Sequence, residues 1–240
     1  MSRRVANLTL DNLSDLPVRC RTCVFWELDP VAGQAAAEAG DLALEKEAWL
    51  SATLLDWGSC GKIVYVDSLP AGYLTYAPPT HVPRSLAFPT SPVSGDAVLL
   101  MTGTVLPEFA GIGLGRMLVQ TAAKDLTRRG VRAVEAFGRI DRAPVRGGDP
   151  GDLADLEDEL DPTDDGRGAG RSEHGRTTRS TCVVPADFLL AVGFKTVRPH
   201  HRFPRLRLDL RTAVSWRADV EVALERLLGS MSPEPAFRPV

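Results

Sequence analysis

The spacing of apolar residues along this chain changes period several times, and each change marks an element. Residues 5–10 (Val-Ala-Asn-Leu-Thr-Leu) alternate with period two and predict a first strand. A polar turn at 11–16 follows, then an aromatic segment at 20–28, Cys-Arg-Thr-Cys-Val-Phe-Trp-Glu-Leu, expected to be buried. From 31 to 55 Ala, Leu and Trp recur at helical spacing. Leu44, Ala48 and Leu55 share a stripe, and Trp57-Gly58-Ser59-Cys60-Gly61 ends that helix. Residues 62–67 and 72–76 read as two strands, with a hairpin turn over Leu69-Pro70-Ala71-Gly72. A proline-rich ordered loop (78–92) leads to a central strand at 97–105. The clearest helix is 113–129: Leu114, Met117, Leu118, Thr121, Ala122 and Leu126 keep a 3.6-residue period until Gly130 stops it.

A strand at 131–137 follows, and then the pattern lapses. Nine acidic positions between Asp149 and Asp165 are followed by Arg167, Arg171, Arg176 and Arg179 among glycines. With no apolar face to bury, 141–180 is expected to be a disordered insertion. Order is expected to resume near Cys182, with a short helix at 185–192 and strands at 194–197 and 203–210. An amphipathic helix at 215–228 completes a C-terminal segment spanning 213–240. The alternation of hairpin strands, helix and further strands predicts a single mixed α/β (α+β) domain over 1–240, with a mostly antiparallel central sheet flanked by helices.

Composition narrows the class. Hydrophobic residues make up 44% of the 240, charged residues 25%, and the net charge is −3. A globular protein is expected, with nothing in the total charge that points to nucleic acid. The aliphatic run at 97–101 is far too short for a bilayer span, and no apolar stretch follows Met-Ser-Arg-Arg as in a secretory signal. A cytoplasmic protein with no membrane partner is expected. Only four lysines (46, 62, 124 and 195) stand among many arginines, alanines and glycines, which suggests a GC-rich bacterial genome. In that compartment Cys20, Cys23, Cys60 and Cys182 should be thiols or metal ligands. Cys20-x-x-Cys23 has zinc-ligand spacing but no second pair. Small buried thiols are therefore the expectation, with a zinc-stabilised scaffold as an alternative. Arg205 and Arg207 alternate onto one face of the last strand, read as solvated.

The turn between the central strand and the long helix carries the most chemistry. Glycines at 111, 113 and 115 and the start of a helix gather backbone N–H groups that hold anions well. A P-loop needs Lys-Ser/Thr after its last glycine, and here Arg116-Met117 follows. A dinucleotide fingerprint needs Gly-x-Gly-x-x-Gly early in a βαβ unit, which this Gly-x-Gly-x-Gly is not.

Val105-x-Pro107-Glu108-Phe109-Ala110-Gly111-Ile112-Gly113-Leu114-Gly115-Arg116-x-Leu118 resembles the acyl-CoA signature of the GNAT superfamily of N-acetyltransferases. Gly193-Phe194 resembles the Gly-Phe that precedes that family's last strands. The resemblance implies acetyl-CoA as cosubstrate and transfer of its acetyl group to an amine, on a small molecule or a protein. It implies that Gly103, Thr104 and Val105 line the pantetheine and thioester. Ala110, Gly111, Ile112, Gly113, Leu114, Gly115 and Arg116 would then face the pyrophosphate. Two positions depart from the pattern: Ala110 stands where the family usually has Arg or Gln, and Leu189, beside Phe188, where it often has a Tyr as general acid for the leaving thiolate. A thiol with a pKa of about 8.5 leaves without a strong acid, so the second departure is compatible with catalysis. Glu135 is the candidate general base, with Glu108, Asp187 and Glu27 as further carboxylates. The two departures also fit a non-catalytic acyl-CoA-binding or protein-interaction module.

Overall fold

The computed structural model describes residues 1–140 and 182–210; the insertion expected at 141–180 and the helix and tail expected at 213–240 lie outside the described residues. Strands β1 (Arg3–Asn7), β2 (Gly61–Val66), β3 (Leu69–Ala77), β4 (Ala97–Val105), β5 (Ala133–Phe137), β6 (Lys195–Arg198) and β7 (Arg205–Asp209) form one sheet in the order β1-β2-β3-β4-β5-β7-β6. Every pairing is antiparallel except β4 with β5. Helices α1 (Val18–Arg21), α2 (Pro30–Ala39), α3 (Leu42–Asp56), α4 (Leu114–Arg128) and α5 (Ala186–Ala191) flank it. This is the mixed, mostly antiparallel sheet with helices on its faces that the resemblance implies.

Strand alternation sorts the core. Val64, Leu74, Val98, Leu100 and Val134 face α4, which buries Leu114, Leu118, Val119, Ala122 and Leu126 against them. Each buried leucine there contributes roughly 2 kcal/mol of apolar transfer energy. Leu99, Met101, Ala133 and Phe137 face the other way, onto a stack of Trp26, Phe88 and Phe137 with ring centroids 5.1 and 4.3 Å apart. Ile63, Tyr65 and Tyr73 extend that second layer toward Leu16 and Leu50.

The structure departs from three of the sequence expectations. The helix expected over 31–55 is two helices, because Gly40 takes a left-handed conformation and closes α2. The buried stripe of α3 is also rotated: Leu44, Ala48 and Leu55 are exposed, while Lys46, Leu50 and Thr53 point inward. A buried lysine hid this face from a hydrophobic count, because its partner, Glu27, lies far back in the chain. The hairpin turn is made by Asp67 and Ser68, both at positive φ (46° and 69°), so Leu69 and Pro70 already belong to β3.

Candidate functional site

Strand β4 is long and β5 is short, and that mismatch creates the site. The parallel ladder covers only Ala97–Leu99 against Ala133–Glu135. From Leu100 to Val105, β4 continues with β3 on one edge and no β5 residue on the other. A register shift sets Met101 outside the pairing between Leu100 and Thr102, which re-aims the strand just before Gly103. The segment leading into α5 runs beside this opening. Arg139 N–H donates to the Val184 carbonyl and Thr102 Oγ1 to the Cys182 carbonyl, both at 2.9 Å. A Cβ on Gly103 would lie 3.8 Å from Val184.

Beyond β4 a short 3-10 turn (Pro107–Phe109) leads to the glycines. Gly111 and Gly113 have φ of +79° and +84°, and no atom lies within 4 Å of where a Cβ on either would stand. Gly113 is the N-cap residue of α4 and has no side chain to cap it; the first bond is Met117 N–H to the Gly113 carbonyl. The N–H groups of Leu114, Gly115 and Arg116 therefore have no intrahelical acceptor. The turn at 110–113 is exposed, so the cradle is backbone bordered by open space. A helix start carries about half a positive charge, which suits phosphate.

The side chains around the cradle are specific. Leu189 is fully buried in the core under α4, whereas the half-buried Phe188 faces the turn. A Cβ on Gly115 would come within 3.0 Å of the Phe188 ring, so that glycine is what lets α5 close against α4. Arg116 is exposed and donates to the Ala191 carbonyl at 2.9 Å, tying α4 to the end of α5. That bond occupies part of the guanidinium that would compensate for Ala110.

Glu135 is fully buried. Ser94 N–H donates to its Oε2 at 3.1 Å, Arg205 lies 3.3 Å from the same oxygen, and Arg207 donates to Oε1 at 3.2 Å. Arg205 and Arg207 are thus not on a solvated face: their side chains are 13% and 19% exposed and enclose Glu135. Glu135 is in register with Leu99, four residues before Gly103, or about 13 Å along the strand. Glu108 and Asp187 are exposed.

The opposite face of β4 holds a polar cluster that sequence spacing did not bring together. Glu27 and Lys46 form a buried ion pair, and Lys46 Nζ also donates to the Cys23 carbonyl at 3.0 Å. Burial works against the charge on Lys46, and the Glu27 carboxylate outweighs it, so its pKa is raised. Cys23 Sγ lies 3.4 Å from Cys182 Sγ, 159 residues away. Trp26 Nε1 donates to the Cys182 carbonyl at 3.0 Å. Cys20, the other half of the Cys-x-x-Cys, packs against the apolar cluster that contains Tyr73, whose pKa is raised chiefly by burial. Cys60 is buried elsewhere, and burial pushes its thiol up to about 12. Among the described residues, no group of three or more His, Cys, Asp or Glu is arranged to hold a metal ion. None of their helices is long and apolar enough to cross a membrane.

No family model matches the chain, and no curated protein matches it. Solved structures of similar shape include the paia N-acetyltransferase of Thermoplasma acidophilum in complex with coenzyme A. It is 11% identical, spans 87% of this chain and 99% of that one, and has a TM-score of 0.47. The loading GNATL domain of CurA from Lyngbya majuscula is 14% identical over 88% of this chain and 100% of that one, with a TM-score of 0.49. An N-acetyltransferase of Staphylococcus aureus Mu50 is 12% identical over 88% and 99%, at 0.44. Their ligands and reactions belong to those proteins.

Proposed function

We propose that this chain is an acyl-CoA-dependent N-acetyltransferase of the GNAT type, acting on an amine. The observation that carries the reading is the open backbone cradle at Gly111 and Gly113, directly continuous with a stretch of β4 that β5 leaves unpaired. The two features suit the two halves of one ligand: an anionic pyrophosphate at the start of α4 and an extended, amide-bearing arm along a strand edge. The cradle has room for the group: no atom stands within 4 Å of the Cβ positions of Gly111 and Gly113.

In this reading the N–H groups of Gly111 to Arg116 hold the pyrophosphate, and Gly103 to Val105 align the arm. Acetyl-CoA supplies an activated thioester whose thiolate leaves. The β4 edge orients the thioester carbonyl and polarises it by backbone donors, which lowers the barrier to attack by a neutral amine. Thr102 and the segment at 182–185 exclude water from one side of that edge. Leu189 is too deep, and Phe188 too apolar, to protonate the leaving group, so the sulfur departs as a thiolate. Glu135 acts as the structural anchor of Arg205 and Arg207 and not as the base.

Calorimetric titration with acetyl-CoA tests the binding half: a saturable heat at sub-millimolar ligand is expected, and no heat at millimolar ligand overturns it. Thiol release across a panel of amines tests the transfer half. A second reading, a non-catalytic acyl-CoA sensor, is favoured by one observation: Glu135, Leu189 and Phe188 provide neither acid nor base at β4. Binding without thiol release for any amine would select it.

A further inference from the structure

The thiols of Cys23 and Cys182 face each other at 3.4 Å, in contact but about 1.4 Å longer than a disulfide bond. Both residues are held from behind. The Cys23 carbonyl is gripped by Lys46, itself fixed by Glu27, and the Cys182 carbonyl by Trp26 and Thr102. Four side chains thus bring together two cysteines from opposite ends of the fold without building them into the apolar core. Both are partly exposed, in contrast to the enclosed Cys60. The groups facing the pair are Glu27, Lys46, Cys20 and Tyr73.

We propose that Cys23 and Cys182 form a redox-active dithiol that reacts with low-molecular-weight disulfides, Cys23 being the attacking thiol and Cys182 the resolving one. The Cys23 thiolate attacks one sulfur of a small disulfide RSSR, forming a mixed disulfide and expelling RS⁻. The Cys182 thiol then gives its proton to the expelled thiolate and attacks Cys23 Sγ, closing the protein disulfide and expelling a second RS⁻, which takes up from solvent the proton that Cys23 released on ionising. The protein loses two electrons and two protons, and RSSR becomes two thiols. The polarity of the pair supports the order of attack. The contact between the two sulfurs, the Phe25 N–H and the Lys46 ammonium held at the Cys23 carbonyl outweigh burial and the Glu27 carboxylate at Cys23, so Cys23 sits below the ordinary thiol range, while the same contact and burial set Cys182 above it. The Cys182 carbonyl accepts from Thr102, the residue before Gly103, which ties the dithiol to the strand that bears the candidate acyl site.

The test uses the full chain, reduced, desalted and equilibrated natively with graded mixtures of reduced and oxidised glutathione. Free thiols are then alkylated and the chain is mapped with trypsin, which cuts at Arg21 and separates Cys20 from Cys23. The expected product is a Cys23–Cys182 linked peptide two hydrogens lighter than its parts, with Cys20 and Cys60 alkylated. Before oxidation, Cys23 should alkylate at least roughly tenfold faster than Cys60. Cys182→Ser should trap one glutathione per chain on Cys23. A Cys20–Cys23 link, a link that forms only in denaturant, or oxidation that begins only after a metal chelator is added overturns the proposal. So does a glutathione adduct of Cys182→Ser on Cys20. If Cys182→Ser does not fold, the linked peptide and alkylation rates of the unmutated chain decide alone.

Discussion

On the α4 side of β4, the turn at 111–113 presents backbone and open space; on the other side Glu27, Lys46, Cys23 and Cys182 present side chains already bonded to one another. The turn has few internal commitments, so its polar groups remain available to a ligand. The cluster is self-satisfied: its charges pair, its carbonyls are capped, and its thiols touch. A region of the first kind should lose ligand when altered and keep its fold. A region of the second kind should lose fold first. Glu135, enclosed by Arg205 and Arg207, belongs with the second kind even though sequence reasoning placed it with the first.

The largest effect expected is at the buried ion pair. Lys46→Met leaves Glu27 charged and buried without its partner, and should cost about 3–5 kcal/mol of unfolding free energy. Adding Glu27→Gln in the same chain should recover part of that loss, which a double-mutant cycle in urea measures. Equal losses in the single and double variants would show that the pair is not the unit of stability. The Glu27 carboxylate raises the Lys46 pKa. The pair's contribution is complete below the unfolded lysine value of about 10.4 and disappears as pH climbs through the folded value. The difference between the unmutated chain and Lys46→Met should therefore shrink in strongly alkaline solution.

Glu135→Gln comes next, at about 2 kcal/mol, because two arginines lose a shared carboxylate inside the protein. Denaturant unfolding gives the cost. The rate of thiol release per folded molecule separates the two roles: it should be unchanged, and a fall of a hundredfold or more at full folding would restore Glu135 as a base.

Gly113→Ala crosses to the other side of β4. The left-handed φ of +84° penalises a Cβ by about 1 kcal/mol, although space for it is open. The new methyl stands where a pyrophosphate would approach, so acetyl-CoA affinity should fall by roughly tenfold, more than the stability change explains. Equal affinity in calorimetry would mean that the cradle is an unliganded turn.

What the sequence revealed divides along the same line. The β4–turn–α4 unit is local: β4 spans the residues its apolar run predicts, and the α4 period and Gly130 stop are read within some thirty residues. The cluster depends on distant pairs. Glu27 with Lys46, Cys23 with Cys182, and Glu135 with Arg205 and Arg207 span 19, 159 and some 70 residues, and no spacing rule connects them. The Cys-x-x-Cys spacing pairs the wrong thiols for the same reason: Cys20 packs toward the cluster around Tyr73, and Cys23 meets Cys182. The same distance hides the inward face of α3, where Lys46 points to Glu27. The hairpin turn failed for a different reason: Asp67 and Ser68 take the left-handed conformations that a glycine and proline search assigns elsewhere.

The smallest effect expected lies at the rim of the Glu135 network. Arg207 reaches past Glu135 to Asp96 with two bonds of 2.9 Å, yet the Asp96 side chain is 38% exposed. The Arg207 guanidinium lowers the Asp96 pKa, so the contribution of this pair is present above the unfolded aspartate value of about 3.9 and is lost as pH falls through the folded value. Solvent screens most of it. Asp96→Asn should cost no more than about 0.5 kcal/mol near neutral pH, and less in high salt. A loss near that of Glu135→Gln, insensitive to salt, would mean that Asp96 belongs to the buried network, and that the self-satisfied region reaches the surface beside β4.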